Sequence, residues 1–265
     1  MTLSTIRNNP AKQKKVKTKK QKAIAATCAV AFWLLVWHVV SLCVGSELVL
    51  VSPVKVVQTL FTVIFDPDFL KTVWYSAARI LGGFFTALTL GTVLGWVASR
   101  FWVVETLLRP ITAAIKATPV ASFIILVLLW FSGKNLSVII SMLMVFPVIY
   151  MNVLEGIRSA DEELLEMAQV FRLSVSKKLL YIYLPAVAPF FVSACSVSLG
   201  LCWKSGIAAE VIGTPDGSIG AVFYQAKIFL QTSELLAWTV VVVAVSVAFE
   251  KLFMLLLRLV LKKLK

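Results

Sequence analysis

Long uncharged apolar runs alternate with short polar segments along this chain. Residues 23–46, 80–99, 117–133, 135–154, 179–203 and 235–249 contain no Asp, Glu, Lys or Arg. A helix crosses a bilayer in about 20 apolar residues, with a range of roughly 17–25. Five runs meet that range, and Leu252 to Leu257 extends the sixth beyond Glu250 and Lys251. The pattern predicts six spanning helices, because a helix satisfies every backbone N–H and C=O without water. Ser52-Pro53 predicts the start of a short interfacial helix, broken at Asp66-Pro67-Asp68 before the second span begins near Thr72. Pro110 and Pro119 predict a kink or restart in the third span. The segment GTPDGSIG, from Gly213, is a dense turn signal before the sixth.

One polar, amphipathic stretch interrupts this pattern, Leu164 to Pro185. Just before it, Ser159-Ala160-Asp161-Glu162 matches a capping box, with Ser159 as cap. The acidic start favours a helix that ends near Phe171. Ser174 predicts a second short helix whose last turn ends at Leu184-Pro185. The two form a bent pair whose apolar side rests on the bundle.

Composition agrees with a membrane protein. Hydrophobic residues make up 60% of the 265 and charged residues 15%, against about 25% charged in soluble domains. The basic residues set an orientation. Eight of them precede the first span, Arg258, Lys262, Lys263 and Lys265 follow the last, and Arg172, Lys177 and Lys178 lie in the polar stretch with Arg158 just before it. Basic loops mark the cytoplasmic side, so both termini and the polar stretch are expected there. The net charge of +13 then reads as lipid attraction and orientation, not nucleic-acid binding. The expected organisation is a basic tail over 1–22, a first span over 23–46, an outer loop over 47–71, a transmembrane domain over 72–257 with its cytoplasmic loop at 155–185, and a basic tail over 258–265.

Candidate chemistry is sparse. Cys28, Cys43, Cys195 and Cys202 form no C-x-x-C pair and read as apolar packing residues. There is no phosphate-cradling G-x-x-x-x-G-K-[ST] and no H-E-x-x-H zinc motif, and His38 is the only histidine. A Ser–Lys dyad of Ser205 and Lys204 is conceivable on paper, as in an intramembrane hydrolase. Lys204 stands out because a lysine in mid-span costs roughly 2.5–3.5 kcal/mol. It either faces a wet pathway, reaches outward to the interface, or pairs with Glu210. Arg79, early in the second span, poses the same choice. The Gly82-Gly83, Gly91 and Gly95 series predicts close helix packing. Trp74, Trp96, Trp102 and Trp130 fall near span ends, as an aromatic belt does.

The polar stretch resembles the cytoplasmic coupling motif of binding-protein-dependent ABC transport permeases, E-A-A-x3-G-x9-I-x-L-P. Here it reads Glu166-Met167-Ala168, then Arg172-Leu173-Ser174, then Ile182-Tyr183-Leu184-Pro185. Met167 stands where the motif has Ala, and Arg172 where it has Gly. A non-Gly residue in a left-handed turn costs about 1 kcal/mol or more, so the turn either avoids that conformation or Arg172 adds a contact. The segments ARILGGFFTALTLGTVLGW, KATPVASFIILVLLWF and CWKSGIAAEVIG extend the resemblance to the nitrate/taurine/sulfonate-type subfamily. The resemblance implies an all-α, six-span type I importer permease in a bacterial cell membrane. It further implies a second permease copy, a cytoplasmic ATPase dimer that binds the ATP, an outer solute-binding protein, and no cofactor in this chain. Lys204, Arg79 and Glu210 are then candidates for the pathway of a small, anionic solute. A channel without an ATPase is the remaining rival.

Overall fold

The computed structural model describes residues 19–263. Residues 1–18 of the expected basic tail, and 264–265, lie outside that range. The chain divides into two units, at Val54 and Lys55. In the first, α1 (Lys19–Val44) is apolar round its whole circumference, with Phe32, Trp33, Leu35 and Leu42 all exposed. A helix without a polar face suits lipid, not a water interface.

The second unit takes in α2 (Pro53–Ile64) from Lys55 onward and continues as α3 (Phe69–Arg100), α4 (Trp102–Ala117), α5 (Val120–Trp130) and α6 (Gly133–Arg158). Then come α7 (Glu162–Val170), α8 (Val175–Lys178), α9 (Leu184–Gly213), α10 (Ile219–Ile228) and α11 (Thr232–Lys263). All secondary structure among the described residues is helical. Four candidate spans lie in this unit as single runs, namely α3, α6, α8 through α9, and α11; with α1 they make five. The sixth is a broken pair, α4 and α5, bent by 110°. Pro119 sits at that break, at the N-cap of α5, whereas Pro110 stays inside α4. Only Phe131 and Ser132 separate α5 from α6, because Gly133 already opens α6.

α6 is the central helix, with more than half of its span buried. Ile80 and Phe84 of α3, Val145 and Ile149 of α6, and Leu199 and Trp203 of α9 form the main core. Lipid is as apolar as these side chains, so close packing, not water exclusion, holds such helices together. Small residues permit the approach. A Cβ on Gly83 would lie 2.4 Å from Val138 O, and one on Gly91 would lie 2.9 Å from Ile149 Cβ. Gly95 faces Tyr150 O at 3.0 Å, while Gly82 faces open space. The glycine series therefore seats α3 on α6, with Gly82 outside the contact.

The loop after α6 differs from expectation in two places. Ser159 closes α6, its hydroxyl donating to Gly156 O, and Asp161 caps α7 by accepting from Glu163 N–H at 2.9 Å. The second short helix does not stop at Leu184-Pro185. It passes through a π turn, Leu179–Tyr183, straight into α9. A widened turn gives room for a proline ring that would otherwise crowd the preceding carbonyls.

Candidate functional site: the coupling loop and the polar groups of the bundle

α7 ends in a Schellman arrangement. Leu173 N–H donates to Ala168 O at 2.9 Å and Arg172 N–H to Gln169 O at 3.1 Å. This places Arg172 at the position that glycine usually takes, and its φ is +49°. The turn thus keeps the left-handed geometry although the residue is arginine. Its hydrophobic complement is present as well. Ala168 and Ile182 are buried with Ala160, and Leu165, Leu173 and Tyr183 pack around them. The motif residues Ala168, Leu173 and Ile182 therefore build a small core of their own. Leu184 is half-buried, while Glu166, Arg172, Ser174 and Pro185 are exposed.

The tip of this loop is apolar and uncovered. Phe171 is 72% exposed, Val175 78%, Val170 79%, and Met167 is exposed beside them. Phe171 and Val175 flank the turn that the Schellman bonds fix. A rigid knob with apolar residues at its point marks a protein contact.

The three polar candidates of the spans are not brought together. Lys204 is exposed on α9 and makes no hydrogen bond or ion pair among the described residues. Glu210, six residues on, is fully buried. Its Oε2 accepts from Ser76 Oγ at 2.6 Å and from Gly220 N–H at 3.4 Å, and Ser76 Oγ accepts from Ile219 N–H at 2.9 Å. With Ser218 Oγ accepting from Ala221 N–H, these groups satisfy the first N–H groups of α10, where a negative charge is favoured. Glu210 therefore ties α9 and α3 to α10. It does not pair with Lys204.

Arg79 is half-buried. Its guanidinium lies 4.5 Å from the Tyr75 ring centroid, contacts the Tyr75 hydroxyl, and reaches Asn135 Oδ1 at 3.5 Å. With Lys134 and Asp216 it lines an open cleft of about 750 Å³ at the end of the bundle opposite the α7–α8 loop. The Ser–Lys dyad is excluded by geometry, since Ser205 is buried and donates to Leu201 O while Lys204 points outward. Sequence reasoning missed α10 and the Glu210 clamp. The only signal was an acidic residue close to a turn rich in Ser and Gly.

The comparisons with known proteins agree with this architecture. Residues 87–265 match the family described as binding-protein-dependent transport system inner membrane component. A putative aliphatic sulfonates transport permease of Bacillus subtilis (strain 168) is 29% identical over 232 residues, 86% of this chain and 83% of that one. A taurine transport system permease of Escherichia coli (strain K12) is 27% identical over 81% of this chain and 80% of its own length. A nitrate import permease of a Synechocystis strain is 25% identical over 77% and 76%. A solved amino acid ABC transporter chain superposes with a TM-score of 0.52, covering 73% of this chain and 96% of that one, at 16% identity. That likeness shows the fold, a type I permease. The chain belongs to the binding-protein-dependent transport system inner membrane components, as a multi-pass permease subunit that moves solute while a separate chain hydrolyses ATP.

Proposed function

We propose that the α7–α8 loop is the handle by which an ATPase subunit drives this permease, and that the loop and both chain ends lie in the cytoplasm. The observation that carries the reading is the uncovered apolar tip, Val170, Phe171 and Val175, held on a turn fixed by two backbone hydrogen bonds. A soft loop would absorb a push, whereas a loop with its own core transmits it along α9 through the π turn. ATP stays on the partner, and the chain carries no cofactor of its own.

Two copies surround the pathway, in contact with lipid outside, and an outer solute-binding protein delivers the solute. The solute is a small anion. Lys204 supports this, as an exposed ammonium on a span whose one other charged residue, Glu210, is buried, and so do the sulfonate, taurine, nitrate and bicarbonate transport systems to which the relatives belong.

The test is co-purification. Wild-type chain expressed with its ATPase is compared with Phe171→Ser and Val175→Ser, which alter the tip without touching the loop core. Loss of the ATPase from both variants, with the permease still monodisperse, is the expected result. Retention in both would remove the handle reading.

A further inference from the structure

A second polar site lies at the end of the bundle that carries the α7–α8 loop. A pocket of about 280 Å³ opens between α4 and α6. Glu105 and Arg158 pair across it at 2.5 Å and join the two helices. That bond engages one of five N–H donors of the guanidinium, so Arg158 retains donors for a ligand. Arg109, also in the lining, makes no ion pair among the described residues.

Tyr150 belongs to the same lining and is only 3% exposed, yet its hydroxyl has no hydrogen-bond partner. A buried hydroxyl without a partner is costly. Lys116 is outside the lining; its Nζ contacts Sδ of Met151, a lining residue, at 3.3 Å. Glu155 is the one unpaired carboxylate of the lining. Two arginines and two carboxylates line the pocket, and the Glu105–Arg158 pair leaves Arg109 without an ion-pair partner.

We propose that this pocket binds a small, singly charged oxyanion, held by Arg109 and the free donors of Arg158, with the Tyr150 hydroxyl donating. The donors of Arg109 and Arg158 suit an oxyanion, and the unpaired Glu155 carboxylate in the same lining disfavours a second negative charge on it. With about 30 Å³ per water, the volume holds an oxyanion of a few heavy atoms and its nearest waters. The same chemistry belongs to a free solute, such as a sulfonate, and to the phosphate of a lipid headgroup. The site is distinct from Lys204 and does not depend on the loop acting as a handle.

Calorimetric titration of the full chain in maltoside with sodium methanesulfonate, at fixed ionic strength, tests the solute. Native mass spectrometry of the same sample tests retained phospholipid. Saturable methanesulfonate binding is expected, weakened about tenfold in Arg109→Gln and severalfold in Tyr150→Phe. Lys71→Gln, on the surface beside Asp68, should match wild type. A phospholipid adduct that is lost in Arg109→Gln, without methanesulfonate binding, would identify the oxyanion as a headgroup. The proposal is overturned if neither ligand binds, or if both pocket variants match wild type in both arms. ATPase co-purification measured alongside separates that failure from failure of the handle.

Discussion

Replacing Gly83 by alanine should destabilise the bundle, while the same change one residue earlier should not. At Gly83 the new Cβ would stand 2.4 Å from Val138 O, 2.8 Å from Ser141 Cβ and 3.1 Å from Met142 N. Carbon atoms pack best at about 3.5–4.0 Å, so α3 must retreat from α6 by roughly 1 Å at this level. The retreat loosens Ile80, Phe84 and Ala87, all fully buried, and overpacking of this kind costs about 1–3 kcal/mol. At Gly82 the Cβ meets nothing within 4 Å. There, alanine gains about 0.5–1 kcal/mol of helix propensity. Alanine gains the same helix propensity at Gly83, so the two single-methyl variants should differ by the overpacking cost, about 1–3 kcal/mol. The assay is thermal unfolding of the detergent-purified chain, read as monodisperse fraction after heating. Gly82→Ala should match or exceed wild type and Gly83→Ala should fall well below it. Gly95→Ala, where the nearest contact is 3.0 Å, should lie between. Equal midpoints for Gly82→Ala and Gly83→Ala would refute the packing argument.

Three further outcomes follow from the site geometry. Glu210→Ala removes the acceptor of Ser76 and Gly220 inside the bundle; leaving buried donors unpaired costs about 1–3 kcal/mol, and protease sensitivity of the segment around α10 should rise, with Glu210→Gln closer to wild type. Arg172→Gly relieves a left-handed φ of +49°, worth about 1 kcal/mol, and hydrogen exchange at the Leu173 amide should slow. Lys204→Gln should raise the solute concentration needed for half-maximal uptake while leaving ATPase co-purification unchanged; unaltered uptake would remove Lys204 from the pathway.

The spans were legible because lipid demands long uncharged runs, and the coupling loop because its residues depart so sharply from that demand. The break at Pro119 was equally visible, since proline cannot donate to the helix ladder. What escaped reading had physical causes. α10 is only ten residues long and begins inside the turn signal GTPDGSIG. The capping box at Ser159 failed because α6 runs on to Arg158, which leaves Ser159 to end one helix while Asp161 starts the next. The facing of Lys204 could not be read from α9 because that helix is apolar on every side. Its buried face carries Ser198, Ser205 and Gly206, and its open face carries Ser193 and Gly200, so small residues mark neither. Glu210 looked like a partner for Lys204 in sequence, yet the helix turns the two to different environments.

The central claim is that the Phe171 tip meets the ATPase. A photo-crosslinking benzophenone amino acid in place of Phe171, and in a second chain in place of Phe65, tests it in intact membranes. Both positions are exposed, at 72% and 81%, and they lie at opposite ends of the bundle. The ATPase should crosslink from position 171 and not from 65. An ATPase adduct from 65 alone, or from neither position in a complex that still hydrolyses ATP in response to solute, would contradict the account.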